Sequence, residues 1–392
     1  MPQYDHLIIG GGMTADAAVS AIRKHQPGSS VGVISADADP PYNRPPLTKG
    51  LWKGDAAESA WRNTAEKGAT LHLGRRATHL DPASRSVTDD AGDNYTYGNL
   101  LLATGGRVRE LPNAPEGIIY YRSFADYRNL RDQLKPGASV AVIGGGFIGS
   151  ELAAGLALNE AKVTMIFPED GIGARVYPPG LSSHLNDYYR EHNVEVLNQE
   201  SLSLVVKSGP GYRLSLESGK TVDADIVVAG IGIVPDTALA EQAGIHVDNG
   251  IVVDELLRTS APDVYAAGDV ANFSNPALGA RLRVEHEDNA NTMGAMAGAN
   301  MAGELQRYEY LPMFYSDLFD LGYEAVGILD ARHQVVEDWK KPYDEGVVYY
   351  LDGGRVRGVL LWNTWDQVDN ARALIAETGP FTREQLRGML PK

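Results

Sequence analysis

Short apolar runs alternate with amphipathic stretches along the chain, and one such pattern occurs twice. His6-Leu-Ile-Ile9 predicts a strand, Gly10, Gly11 and Gly12 a turn, Thr14 to Arg23 a helix, and Val31 to Ile34 a second strand. Val140 to Ile143 repeats the first run, and Gly144, Gly146 and Gly149 repeat the turn. Ser150-Glu-Leu-Ala-Ala-Gly-Leu-Ala repeats the helix, and Val163 to Phe167 the second strand. Runs that are apolar at successive positions suit strands covered on both faces, as in a parallel sheet. Leu101 to Gly106 and Ala224 to Gly232 are also alike, each an apolar strand leaving through glycine, which supports a duplication.

The other patterned stretches are shorter. Helices are expected over 52–68, 124–134, 181–189, 285–303 and 367–377. Short strands are expected at 70–73, 79–81, 86–88, 94–97, 250–254, 263–269, 323–329, 346–350 and 356–362. Pro40-Pro-Tyr-Asn-Arg-Pro-Pro-Leu-Thr-Lys49 reads as a stiff, extended loop, because proline fixes φ and restricts its predecessor. Arg109 to Gly117 reads as a linker, and the stretch from Tyr310 onward as a separate small α/β domain.

With 392 residues the chain has room for two or three domains. A formal charge of −16 argues against nucleic acid or an anionic membrane as the main partner. There is no cysteine, which removes disulfides, thiolate metal sites, cysteine-ligated clusters and dithiol redox chemistry. No metal site is expected. No apolar run approaches the roughly 18 residues of a membrane span, and no presequence is evident, so the expected location is cytoplasmic.

The repeated glycines carry the chemistry. In strand, Gly-x-Gly-x-x-Gly, helix, the first glycine makes the tight turn and the second lets backbone N–H groups approach a pyrophosphate. The third lets helix and strand pack closely. The phosphates then face the positive end of the helix dipole. Glu169 lies 20 residues past Gly149, where the acceptor for a ribose 2′-hydroxyl is expected. The first copy uses Gly10, Gly12 and Ala15, with Asp37 22 residues past Ala15. Two Rossmann-like copies imply two dinucleotides, most economically a resident flavin and a nicotinamide that comes and goes. The loop holds Arg44 and Lys49 either against a ligand or in solvent. Asp269, in Tyr-Ala-Ala-Gly-Asp, either accepts from a ribityl hydroxyl or caps a turn. Glu285-His-Glu-Asp either caps the helix that follows or aims its N-terminus at a flavin pyrimidine.

Together these strings resemble the FAD- and NADH-dependent ferredoxin-reductase type of flavoprotein, and within it apoptosis-inducing factor and its bacterial relatives. The resemblance rests on Gly-Phe-Ile-Gly-Ser-Glu-Leu-Ala (146–153), Phe-Pro-Glu (167–169) and Ala-Leu-Gly-Ala-Arg-Leu-Arg-Val-Glu-His (277–286). Met-Phe-Tyr-Ser-Asp-Leu (313–318), Gly-Tyr-Glu-Ala-Val-Gly (322–327) and Val-Leu-Leu-Trp-Asn (359–363) extend it to the last segment. It implies a glutathione-reductase-like α/β architecture. An FAD domain would span 1–111 and 236–308, an NADH domain 112–235, and a small C-terminal α/β domain 309–392. On the FAD side it implies Gly10, Gly12, Ala15, Asp37, Arg44, Lys49, Thr104, Gly105, Asp269, Glu285, His286 and Tyr315. On the NADH side it implies Gly144, Gly146, Phe147, Ile148, Gly149, Glu169 and Gly232. Lys49 resembles the lysine beside flavin N5 that pairs with the glutamate matching Glu151. Phe147 resembles the aromatic gate over the nicotinamide side, and Glu285 and His286 the pair beside the rings.

This chain departs from the pattern in places. Tyr315 stands where apoptosis-inducing factor has tryptophan, Ala36 replaces a glutamate beside Asp37, and there is no long insertion between Val336 and Val347. The expected activity is hydride transfer from NADH to FAD, then electron transfer to an iron–sulfur protein. The alternatives are an NADH-responsive module with slow reoxidation and dimerisation, and a quinone or small-molecule reductase. Glu169 disfavours a 2′-phosphate and so favours NADH over NADPH, with Arg175 close enough in sequence to oppose that preference. Docking an acidic iron–sulfur partner on a chain of −16 would need a local basic patch formed by Arg281 and Arg283 with others.

Overall fold

A computed structural model describes residues 1–391, and the chain divides into two compact units. The first comprises Met1–Arg44, Ala57–Arg107 and Val234–Pro312; the second comprises Pro45–Ala56, Val108–Ile233 and Met313–Lys392.

The first unit is built on one sheet. Thr70–Leu73, Val31–Ser35, Gln3–Ile9 and Asn94–Leu102 run parallel in that order, and Val264–Ala266 adds to the last of them. Ala77–Asp81 and Ser86–Asp89 extend it as antiparallel strands. The apolar runs are buried as their pattern predicts, with Leu7, Ile8, Val33, Leu100 and Leu101 sealed from solvent. Helices Met13–His25 and Glu287–Met301 lie against each other, and glycine makes this possible. A Cβ on Gly294 or Gly298 would overlap the backbone of Thr14 or Ala18.

The second unit repeats the parallel core. Its strands run Val194–Asn198, Lys162–Phe167, Ser139–Ile143, Ile226–Ala229 and Ile119–Tyr120. A three-stranded antiparallel sheet covers it. The C-terminal segment adds a five-stranded antiparallel sheet, with helix Val368–Ala376 packed on it. Two of its strands, Met313–Leu318 and Gln334–Lys341, were not expected from the pattern. Both carry polar residues among apolar ones and lie at the sheet edges.

Two expectations fail locally. The helix over 52–68 is absent, and isolated 3₁₀ turns stand at Gly50–Trp52, Ala57–Ala60 and Thr64–Lys67. Asn63, at φ 53°, breaks the path before the last turn. The 40–49 loop is not extended throughout either. Pro45–Leu47 forms a 3₁₀ turn, with Thr48 N donating to Pro45 O and Lys49 N to Pro46 O, both at 3.2 Å. Proline's φ suits such a turn as well as an extended path.

Side chains, not a helical ladder, fasten the 57–67 stretch. Asp16, 1% exposed in the first turn of its helix, accepts from Arg62 Nε at 2.7 Å and from Thr64 Oγ1 and Lys67 Nζ at 2.6 Å. Burial pushes its carboxyl up, but the bonds from Lys67, Thr64 and Arg62 outweigh that and hold it below the usual range. A group so lowered adds stability above its unfolded pKa of about 4, and the gain is lost as pH falls through the folded value. Asp16→Asn should therefore cost about 2 kcal/mol at pH 7, less than a fully buried pair would, because Lys67 reaches solvent. The gap from wild type, read by urea unfolding, should shrink steadily below about pH 4.

Candidate functional site

Both glycine turns have the same backbone geometry. Gly10 and Gly144 each adopt φ 114°, a value that side chains rarely tolerate. A Cβ at Gly10 would overlap Ala103 O, and one at Gly144 would overlap Gly230 O. Gly10 N donates to Ile34 O at 2.8 Å, and Gly144 N to Ile166 O at 2.9 Å. Each turn thus lies between the ends of the two strands that flank its own, Val31–Ser35 and Asn94–Leu102 in the first unit and Lys162–Phe167 and Ile226–Ala229 in the second. The following helices start at Met13 and Phe147 with Gly12 and Gly146 as N-caps, and neither has a side-chain cap. First-turn N–H groups remain for a ligand, which is the donor set a pyrophosphate needs. At Gly146 an added Cβ would meet nothing within 4 Å. The third position differs between copies. Ala15 is accommodated, whereas a Cβ on Gly149 would overlap Gly144 O.

In the first unit a cleft of about 430 Å³ opens beside Gly10, lined also by Ala36, Thr104, Asp236, Arg75 and Arg76. Thr104 Oγ1 donates to Asp236 O at 2.7 Å, and Gly105, at φ 65°, accepts from Asp236 N. Asp37 follows the second strand, and Tyr42 donates to its Oδ2 at 3.1 Å. Arg44 Nη2 lies 4.0 Å from where a Gly12 Cβ would stand, so this cation does face the turn. Asp269 lies in a 3₁₀ turn, and its carbonyl accepts from Arg283 Nη1. Glu285 pairs with the same Arg283, and His286 is the N-cap of helix Glu287–Met301. Arg281 donates to Val253 O and Asn272 Oδ1. Arg281, which is exposed, and Arg283 both direct hydrogen bonds at their own unit.

In the second unit Ile148 is exposed beside the turn, and Phe147 meets Phe314 edge to face at 5.7 Å between centroids. Glu169 Oε1 is engaged by Arg175 Nη2 at 2.6 Å, so the acid and the base that pull nucleotide preference in opposite directions stand together. Gly232 takes φ 92° and accepts from Arg109 N. Glu151, one helical turn past Phe147, is 5% exposed and pairs with Lys49. The Lys49 ammonium also stands 5.3 Å from the centroid of Tyr315. Two further donors reach Glu151, Thr48 Oγ1 and Ser316 Oγ, each at 2.5 Å. Sequence reasoning missed Thr48, Ser316, Arg75 and Arg76. Only the two arginines had a local signal, a basic pair just after a predicted strand.

The pattern of the pyridine nucleotide-disulphide oxidoreductases matches residues 4–294. The chain belongs to that family. A second pattern, the C-terminal part of mitochondrion-associated apoptosis-inducing factor, matches residues 297–343. The 5,5'-dehydrodivanillate O-demethylase ferredoxin reductase subunit of a Sphingobium strain is 34% identical, over 98% of this chain and 96% of its own length. Apoptosis-inducing factor 1, mitochondrial, of Dictyostelium discoideum is 33% identical over 95% of this chain and 78% of its own. Among solved structures, the covalent putidaredoxin reductase–putidaredoxin complex matches with TM-score 0.90 and 28% identity, over 97% of this chain and 94% of that one. This family member is an oxidoreductase with FAD and NAD(H) as its cofactors. The 392 residues contain no cysteine, the residue type that the disulphide chemistry of the family's name uses. Among the described residues no helix is long and apolar enough to cross a membrane.

The open space at Gly146 separates ligand binding from folding. Gly146→Ala should change stability by less than about 1 kcal/mol yet weaken NADH binding about tenfold or more. Gly149→Ala should instead destabilise the fold by about 1–3 kcal/mol through overpacking. Thermal melts and NADH titrations of the two variants check this.

Proposed function

We propose that the protein is an NADH-dependent FAD oxidoreductase that delivers electrons to a ferredoxin-type iron–sulfur protein. The observation that carries this is the duplicated dinucleotide turn together with a lysine–glutamate pair buried behind the second copy. In this reading FAD takes the first unit's turn, with Asp37, Arg44, Thr104, Asp269, Glu285 and His286 around it. NADH takes the turn at 144–149, with its ribose on Glu169 and Phe147 shielding the nicotinamide side. The three-domain division at 1–111 with 236–308, 112–235 and 309–392 follows the same assignment.

When bound, the two cofactors supply hydride transfer, so the protein contributes placement and charge. Lys49 is the positive charge for the flavin side, and Glu151 holds it there. No side chain has to abstract a proton. Electrons leave by way of a partner whose docking face is neutral or basic, because this chain carries −16. Relatives named as ferredoxin reductases support that class of acceptor.

The match to the apoptosis-inducing factor C-terminal pattern favours a second reading, an NADH-responsive module that reoxidises slowly. Anaerobic reduction with NADH, followed by an iron–sulfur protein or by oxygen, separates the two. Rapid reoxidation by the iron–sulfur protein is expected. Slow reoxidation with an NADH-dependent shift in oligomer size would favour the module instead. Lys49→Ala should slow hydride transfer about a hundredfold or loosen FAD. Unchanged flavin spectra and rates would remove the role given to Lys49.

A further inference from the structure

Glu151 is a carboxylate taken out of water, and such a group costs several kcal/mol unless it is paired and fully hydrogen-bonded. Its partners come from two places far apart in the chain. Thr48 Oγ1 donates to Oε2, while Ser316 Oγ and Lys49 Nζ share Oε1. Ser316 is 1% exposed and belongs to strand Met313–Leu318 of the C-terminal segment.

We propose that Ser316 is a positioning residue for the reductase reaction, fixing the Glu151 carboxylate and through it the Lys49 ammonium. The proposal rests on the role given to Lys49 above. Phe147 and Glu151 are i and i+4 on one helix and so share a face. Phe314 and Ser316 are i and i+2 on one strand and likewise share a face. The strand therefore meets the helix at two points, ring against ring and hydroxyl against carboxylate.

A carboxylate oxygen has two lone-pair sites. With Ser316 on one site of Oε1, the lysine is confined to the other. Without that hydroxyl, Glu151 keeps only Thr48 and Lys49 and is freer to turn about its terminal torsion, taking the ammonium with it. Water has little access to replace the lost donor. Tyr323, opposite Ser316 in the strand pairing, is fully buried. The fully buried ring of Tyr177 packs edge-on to it at 5.7 Å.

The test uses FAD-loaded Ser316→Ala, Ser316→Thr and Lys49→Ala proteins and the double variant Ser316→Ala/Lys49→Ala. Single-turnover bleaching by NADH, the flavin midpoint potential, KM for NADH and the melting temperature are measured. Ser316→Ala should slow bleaching about tenfold and make the potential more negative, with KM for NADH unchanged. Ser316→Thr, which keeps the donor, should restore both. In the Lys49→Ala background the serine change should add nothing, because the group it positions is gone.

A Ser316→Ala protein that is less stable but has wild-type rate and potential would overturn the proposal, as would a full additive effect in the double variant. If Lys49→Ala leaves rate and potential unchanged, the role of Lys49 fails. If only Ser316→Ala is silent, the positioning role alone fails. Should Ser316→Ala not fold with FAD, Ser316→Cys, similar in size and a weaker donor, carries the same readouts.

Discussion

Both nucleotide units depend on a backbone carbonyl that leaves no room for a side chain. Ala103 O and Gly230 O each sit where a Cβ on the first glycine of a turn would stand. The strands that end there, Asn94–Leu102 and Ile226–Ala229, thereby fix where each turn lies and where the next helix begins. Helix direction, the exposed N–H groups and the inward face of the helix all follow from that contact. Glu151 owes its burial to it, because Gly149 lets the helix settle onto the turn and the residues just beyond it face the interior.

Burial then sets a second constraint. An ionised carboxylate inside the protein must have its lone pairs occupied. Lysine and threonine from the 45–56 stretch and serine from the last segment meet that need together. Two separate stretches of the second unit converge on one side chain of a third. Their convergence gives the 45–56 stretch, which has no regular structure beyond single turns, a fixed place in that unit.

What could be read in advance was whatever is local. The apolar runs, the glycine spacing and the acids Asp37 and Glu169 lie within about thirty residues of one another in each copy. Their positions follow from strand, turn and helix geometry alone. The 52–68 stretch misled because its composition suits a helix, while its actual order comes from Asp16, far back in sequence. Ser316 was invisible for the same reason. A serine in an edge strand looks like any solvent-facing position until its partner is known to be Glu151, 165 residues away.

The edge strand Met313–Leu318 also bears on how such proteins can be recombined. Cutting the chain before it removes a donor from a buried anion and a ring from Phe147, so the last eighty or so residues are not a detachable accessory. A chimera that takes its C-terminal segment from a relative inherits that relative's strand against this helix. Compatibility would turn on the two side chains that meet Phe147 and Glu151 more than on overall similarity. The exchangeable piece is therefore helix and strand together, although the two lie far apart in sequence.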